Sequence, residues 1–165
     1  MLEQFVHYFN SLPKEVVTMF IAMIPIFELR GAIPWALSNP PIGGGLDWQT
    51  TFVFAYIGNF IPVIPLLLFL DPVTNFLRRW YIFDRFFEWL FKRTRRKGKM
   101  IEKYEIIGLL LYVGIPLPGT GAWTGSLAAY LFGVNFKNSI FSISIGILLA
   151  GIIVTMASLG VFSIF

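Results

Sequence analysis

An acid and a base stand two residues apart in Pro25-Ile26-Phe27-Glu28-Leu29-Arg30-Gly31-Ala32-Ile33-Pro34, and the chain has no other charge between Glu15 and Asp47. An ionisable side chain at membrane depth is costly and marks a substrate, ion or proton pathway. Desolvation favours a neutral carboxyl, whereas a neighbouring guanidinium favours the carboxylate. Under those opposing pulls Glu28 can exchange a proton, while Arg30 pairs either with it or with a substrate anion such as a lipid phosphate. The prolines supply the setting: Pro25 has no N–H for the carbonyl of Ile21 and Pro34 none for that of Arg30, so the segment is expected to break. A structural ion pair that locks the turn is the competing reading.

Membrane depth follows from composition. The chain has 165 residues, 56% hydrophobic and 18% aromatic, with a mean hydropathy of +0.73, too apolar for a soluble core of that size. No charge falls between Asp47 and Asp71, between Glu105 and Lys137, or from Asn138 to Phe165. Each run exceeds the ~20 residues that cross a bilayer. Other chemistry is poorly provided for. There is no cysteine, His7 is the only histidine, and no phosphate-cradling glycine loop is present, so no enzyme activity, catalytic residue, metal, cofactor or nucleic-acid partner is expected.

The 1–165 chain reads as a single all-α integral membrane domain. A broken, re-entrant segment over 14–37 ends in the turn residues Ser38-Asn39-Pro40-Pro41-Ile42-Gly43-Gly44-Gly45, which is followed by a transmembrane helix over 49–70. Pro62 and Pro65 should kink that helix, and Asn59 should face protein. Over 72–91, Val73, Phe76, Leu77, Trp80, Phe83, Phe87 and Leu90 recur every three or four residues, the pattern of an amphipathic interfacial helix. Residues 92–103 carry seven cations against Glu102 alone, which places this loop in the cytoplasm beside anionic headgroups. A second broken segment over 106–135 is interrupted at Ile115-Pro116-Leu117-Pro118-Gly119-Thr120-Gly121, and a last transmembrane helix occupies 139–163. Gly121, Gly125, Ala129 and Gly133 form a ridge of small residues suited to helix packing.

The two interruptions resemble each other. Ile24-Pro25-Ile26-Phe27 parallels Ile115-Pro116-Leu117-Pro118, and Gly31-Ala32 parallels Gly121-Ala122. Each copy precedes a full span, and the span at 49–70 would turn the second copy upside down. That is the layout of an inverted-repeat transporter whose broken segments meet near the midplane. Phe-Glu-Leu-Arg-Gly-Ala-Ile-Pro at 27–34 and Pro-Leu-Pro-Gly-Thr-Gly-Ala-Trp-Thr-Gly at 116–125 resemble the signature segments of the small multidrug export protein family, and the resemblance covers most of the chain. That family is distantly similar to the DedA/VTT membrane proteins. The similarity implies paired re-entrant hairpins, embedded acids and arginines, and roles in lipid-carrier translocation and membrane homeostasis. Glu28 would be the hairpin acid, Arg30 the hairpin arginine, and Pro116, Pro118 and Gly119 the second tip, which here carries no charge.

The leading expectation is a proton-coupled, DedA-like transporter that moves an anionic amphipath. The alternatives are an exporter of cationic drugs, which Arg30 would repel, and a non-transporting membrane assembly or homeostasis protein. The expected substrate and proton site comprises Glu28, Arg30, Gly31, Pro34, Asn59, Pro116, Pro118, Gly119, Thr120 and Gly121. Its half-helices begin near Gly31 and Gly121 and offer N–H groups to an anion. Membrane lipids, a small amphipathic substrate, protons and a homodimeric copy are the expected partners, the last through Gly125/Ala129 or Gly146/Ala150.

Overall fold

The structure, a computed structural model, describes residues 12–77, 79, 85 and 105–160. Every regular element among them is an α-helix, and the chain divides into two compact units. Pro62–Leu149 forms one unit and the remaining described residues form the other. The basic loop expected over 92–103 and most of the interfacial helix expected over 72–91 lie outside the described residues.

In the first unit, α1 spans Lys14–Met23 and ends at Ile24. The proline that follows disfavours the helical region for Ile24, which is extended with ψ 126°. Its N–H turns back to the Ile21 carbonyl at 3.2 Å. The carbonyl that Pro25 was expected to orphan is therefore served from within the turn. Phe27 N–H and Glu28 N–H then both close on the Ile24 carbonyl, at 3.1 and 2.9 Å, and α2 runs over Glu28–Leu37.

Pro34 does not break that helix. It sits inside α2 on the exposed side, and the helix stops a turn later, where Ser38 donates both its N–H (3.1 Å) and its hydroxyl (2.7 Å) to the Pro34 carbonyl. The loop beyond folds back, with Gly44 N–H on the Trp35 carbonyl and Leu46 N–H on that of Ala36, both at 2.9 Å. These bonds satisfy the open carbonyls of the last turn. Gly43 and Gly44 are buried as a result, inside what the sequence presents as an exposed turn.

The next helix, α3, spans Trp48–Phe60, capped by Asp47, whose carboxylate accepts the Thr50 N–H at 2.9 Å. That bond, and the Thr50 hydroxyl, hold the Asp47 carboxyl below its ordinary value of 3.8. The stabilisation is therefore complete above that value and is lost as pH falls through the lowered pKa. Asp47→Ala should lower the thermal midpoint at pH 7, and the gap between variant and parent should close as the pH is taken below 3.8. An equal gap at every pH would show that the cap is unimportant.

After an interruption at Ile61 and Pro62, α4 continues over Val63–Leu77. The apolar stretch Trp48–Thr74 is 27 residues long, about 40 Å of helix. It passes through Asp71 and Pro72, so the first residues expected of the interfacial helix belong to this one.

In the second unit α5 (Glu105–Gly114), a break and α6 (Ala122–Phe132) precede α7 (Phe136–Ser158), which is 23 residues long, apolar enough to span, and belongs to the first unit from Ala150 on. Val113 is the keystone of the unit's core, 1% exposed. A side chain on Gly125 would strike its Cγ2, and one on Gly146 would lie 2.7 Å from its Cβ. Gly125, Ala129 and Gly146 are thus engaged inside the unit. Gly133 is not part of the packing ridge. It is exposed, left-handed at φ 73°, and ends α6, with Val134 N–H reaching the Ala129 carbonyl at 2.9 Å.

Candidate functional site

The ten expected site residues fall into two groups, one in each unit. In the first, Glu28 opens α2 directly after the turn at 25–27 and is 6% exposed, deep for a carboxylate. Its backbone is left-handed, φ 46°, and among the described residues no other side-chain-bearing residue has positive φ. A Cβ in that region clashes with its own backbone at a cost of ~1–2 kcal/mol. Such strain persists where the surroundings enforce it, and it clusters at working sites.

Arg30, one residue further round the helix from Leu29, is only half-buried. A guanidinium there keeps access to whatever lies outside the unit, as long cationic side chains do at membrane boundaries. Gly31 donates its N–H to the Phe27 carbonyl at 2.9 Å, and a side chain there would lie 2.8 Å from Phe27 Cβ. Pro34 is exposed. Asn59, on α3, is 2% exposed, and its Oδ1 has no hydrogen-bond partner. Its expected placement facing protein holds.

In the second group the break is a self-bonded loop. Thr120 Oγ1 lies 2.7 Å from the Ile115 carbonyl and 2.8 Å from that of Leu117, and it accepts the Leu117 N–H at 3.1 Å. Tyr112 adds its hydroxyl to the Gly119 carbonyl at 3.1 Å. Gly119 and Gly121, at φ 82° and 142°, take conformations that a side chain would strain. Pro118 and Gly119 are exposed, while Pro116 and Thr120 are half-buried. The Thr120 hydroxyl therefore ties the loop.

Sequence reasoning missed Thr51. It is fully buried on α3, and its Oγ1, like Asn59 Oδ1, has no partner. Its spacing from Ala55 and Asn59, one helical face at every fourth position, was the available signal.

The class follows from the helices: a membrane protein with, among the described residues, two apolar helices long enough to span and two helix–break–helix segments. The family model described as "Putative small multi-drug export protein" matches residues 28–153, and the chain belongs to that family. Comparison with curated proteins and with solved structures gives no match.

Proposed function

We propose that the chain is a proton-coupled membrane transporter in which Glu28 takes up and releases the proton. The observation that carries this reading is the carboxyl's placement, buried and at a strained left-handed residue. A purely structural residue there would be under no pressure to be an acid. Arg30, half-buried two residues on, is the anchor for the anionic headgroup of an amphipath. When Glu28 is protonated, Arg30 holds the anion; when Glu28 ionises, the two acids compete and the anion is released.

The two broken segments are read as inverted re-entrant hairpins of DedA-like design, with 92–103 on the cytoplasmic side of the cell membrane. A cysteine at Ile42, 83% exposed, should then label from outside and one at Gly98 from inside. The family description, small multi-drug export, favours a second reading, in which Glu28 would suit cationic compounds.

The test is transport in proteoliposomes under an imposed pH gradient, with an alkyl phosphate or ethidium as cargo. The parent should couple alkyl phosphate movement to proton movement, and Glu28→Gln should abolish that coupling. Coupling to ethidium alone would replace the first reading by the second, and an unaltered Glu28→Gln would overturn both.

A further inference from the structure

The proton needs a route to Glu28, and the first unit contains buried oxygens suited to supply one. In this unit α1, α2 and α3 pack on one another. Their buried faces consist largely of small residues: Thr18 and Ala22 on α1, Ala32 and Ala36 on α2, Ala55 and Gly58 on α3. The hydroxyl of Thr18 is satisfied at 2.8 Å by the Lys14 carbonyl. Thr51 Oγ1 and Asn59 Oδ1 are not satisfied by any protein group, although their residues are 0% and 2% exposed.

An amide oxygen left unbonded in an apolar interior loses ~1–3 kcal/mol. Natural structures satisfy such atoms with ordered water when protein groups do not. Thr51 and Asn59 stand on one face of α3 with Ala55 between them, about 12 Å apart along the axis. Thr51 lies one turn from the exposed cap at Asp47, so the line runs from the open end of the helix inward. Another hydroxyl without a partner, Thr155 Oγ1, belongs to α7, whose Gly151 faces the ring of Phe52, the residue after Thr51.

We infer that Thr51 and Asn59 hold a chain of water molecules that carries protons from the Asp47 end of α3 to Glu28. The inference rests on the proposed role of Glu28. A hydronium at the outer end gives up one proton and becomes water, each water passes a proton to the next, and the Glu28 carboxylate becomes the carboxylic acid. The return journey reverses these steps, and no other reactant is required. Thr51 and Asn59 orient the waters by accepting their O–H groups, so they position the route and do not themselves titrate.

The experiment uses the full chain in phosphatidylethanolamine/phosphatidylglycerol vesicles and follows proton–deuteron exchange at the Glu28 carboxyl by its infrared carbonyl band. Glu28→Gln identifies the band. Thr51→Val replaces a hydroxyl by a methyl of the same size and keeps the fold, and Asn59→Leu is the larger change. Both should slow exchange at least roughly tenfold, and Thr51→Val should leave the affinity for alkyl phosphate within about twofold. Asn59→Gln, which restores an amide oxygen, should recover part of the rate. Exchange at the parental rate in both Thr51→Val and Asn59→Leu would overturn the water chain. Loss of substrate affinity with exchange unchanged would overturn it too, assigning the oxygens to the P–OH of the substrate. Exchange is read whether or not protons drive transport. An unaltered Glu28→Gln in the transport assay would therefore sink the proposed function separately.

Discussion

Gly58→Ala should lower the stability of the protein by about 3 kcal/mol, the upper part of the range for overpacking a close contact. A Cβ at Gly58 would overlap the backbone carbonyl oxygen of Met19 and lie 2.7 Å from Met19 Cα and 2.9 Å from its carbonyl carbon. All three atoms are main chain, so α1 and α3 must separate to admit one methyl. Other glycines set the scale. Gly108, within α5, has nothing within 4 Å of its added Cβ. Gly108→Ala should therefore gain about 0.5–1 kcal/mol from helix propensity alone. Gly133 is equally open but left-handed at φ 73°. Gly133→Ala should lose about 1–2 kcal/mol. Thermal midpoints of the three purified variants check the order. If Gly58→Ala melts with Gly108→Ala, the tight crossing of α1 and α3 is wrong.

That crossing was only half legible in the sequence. Gly58-Asn59 in an apolar run marks a small and a polar residue that should face protein, and both are buried. Nothing in the run says which helix comes to meet them, because helix pairing is a tertiary property. The two breaks were legible for a local reason: Pro25 and Pro116 each interrupt an apolar stretch, and the chain leaves the helix at Ile24 and at Ile115. Pro34 misled because proline breaks a helix through its missing N–H and a steric clash, and both are tolerable on an exposed face one turn from the helix end. Gly133 misled in the opposite way. Spacing of four is shared by a packing ridge and by a helix that ends in glycine, and only the backbone dihedral separates them. Of the site, the acid–base pair was visible as charge in an apolar setting. The strain at Glu28 was not, since a glutamate carries no sequence signal for positive φ.

That strain makes the second large prediction possible. If Glu28 is present for its proton, Glu28→Gly should abolish coupling to a pH gradient and leave the fold at parental stability or about 1 kcal/mol above it. Two terms decide the sign. Removing the Cβ from φ 46° returns ~1–2 kcal/mol. Losing the carboxylate deprives Arg30 of a neighbour. An uncompensated buried charge would lose ~3–5 kcal/mol, but a half-buried guanidinium can reach headgroups or water and loses far less. Glu28→Gln keeps the strain and the hydrogen-bonding shape, so it should match the parent within about 1 kcal/mol and also lose coupling. Arg30→Gln should lose the anionic cargo and leave the acid without its cation. The double change, Glu28→Gln with Arg30→Gln, should then be milder for stability than Arg30→Gln alone. A structural lock gives the opposite pattern. Each single variant would lose ~3 kcal/mol or more, the double would return to parental stability, and transport by that double would be intact. Unfolding midpoints and reconstituted transport of the four variants separate the two. Recovery of both stability and coupling in the double variant would leave the carrier mechanism without support.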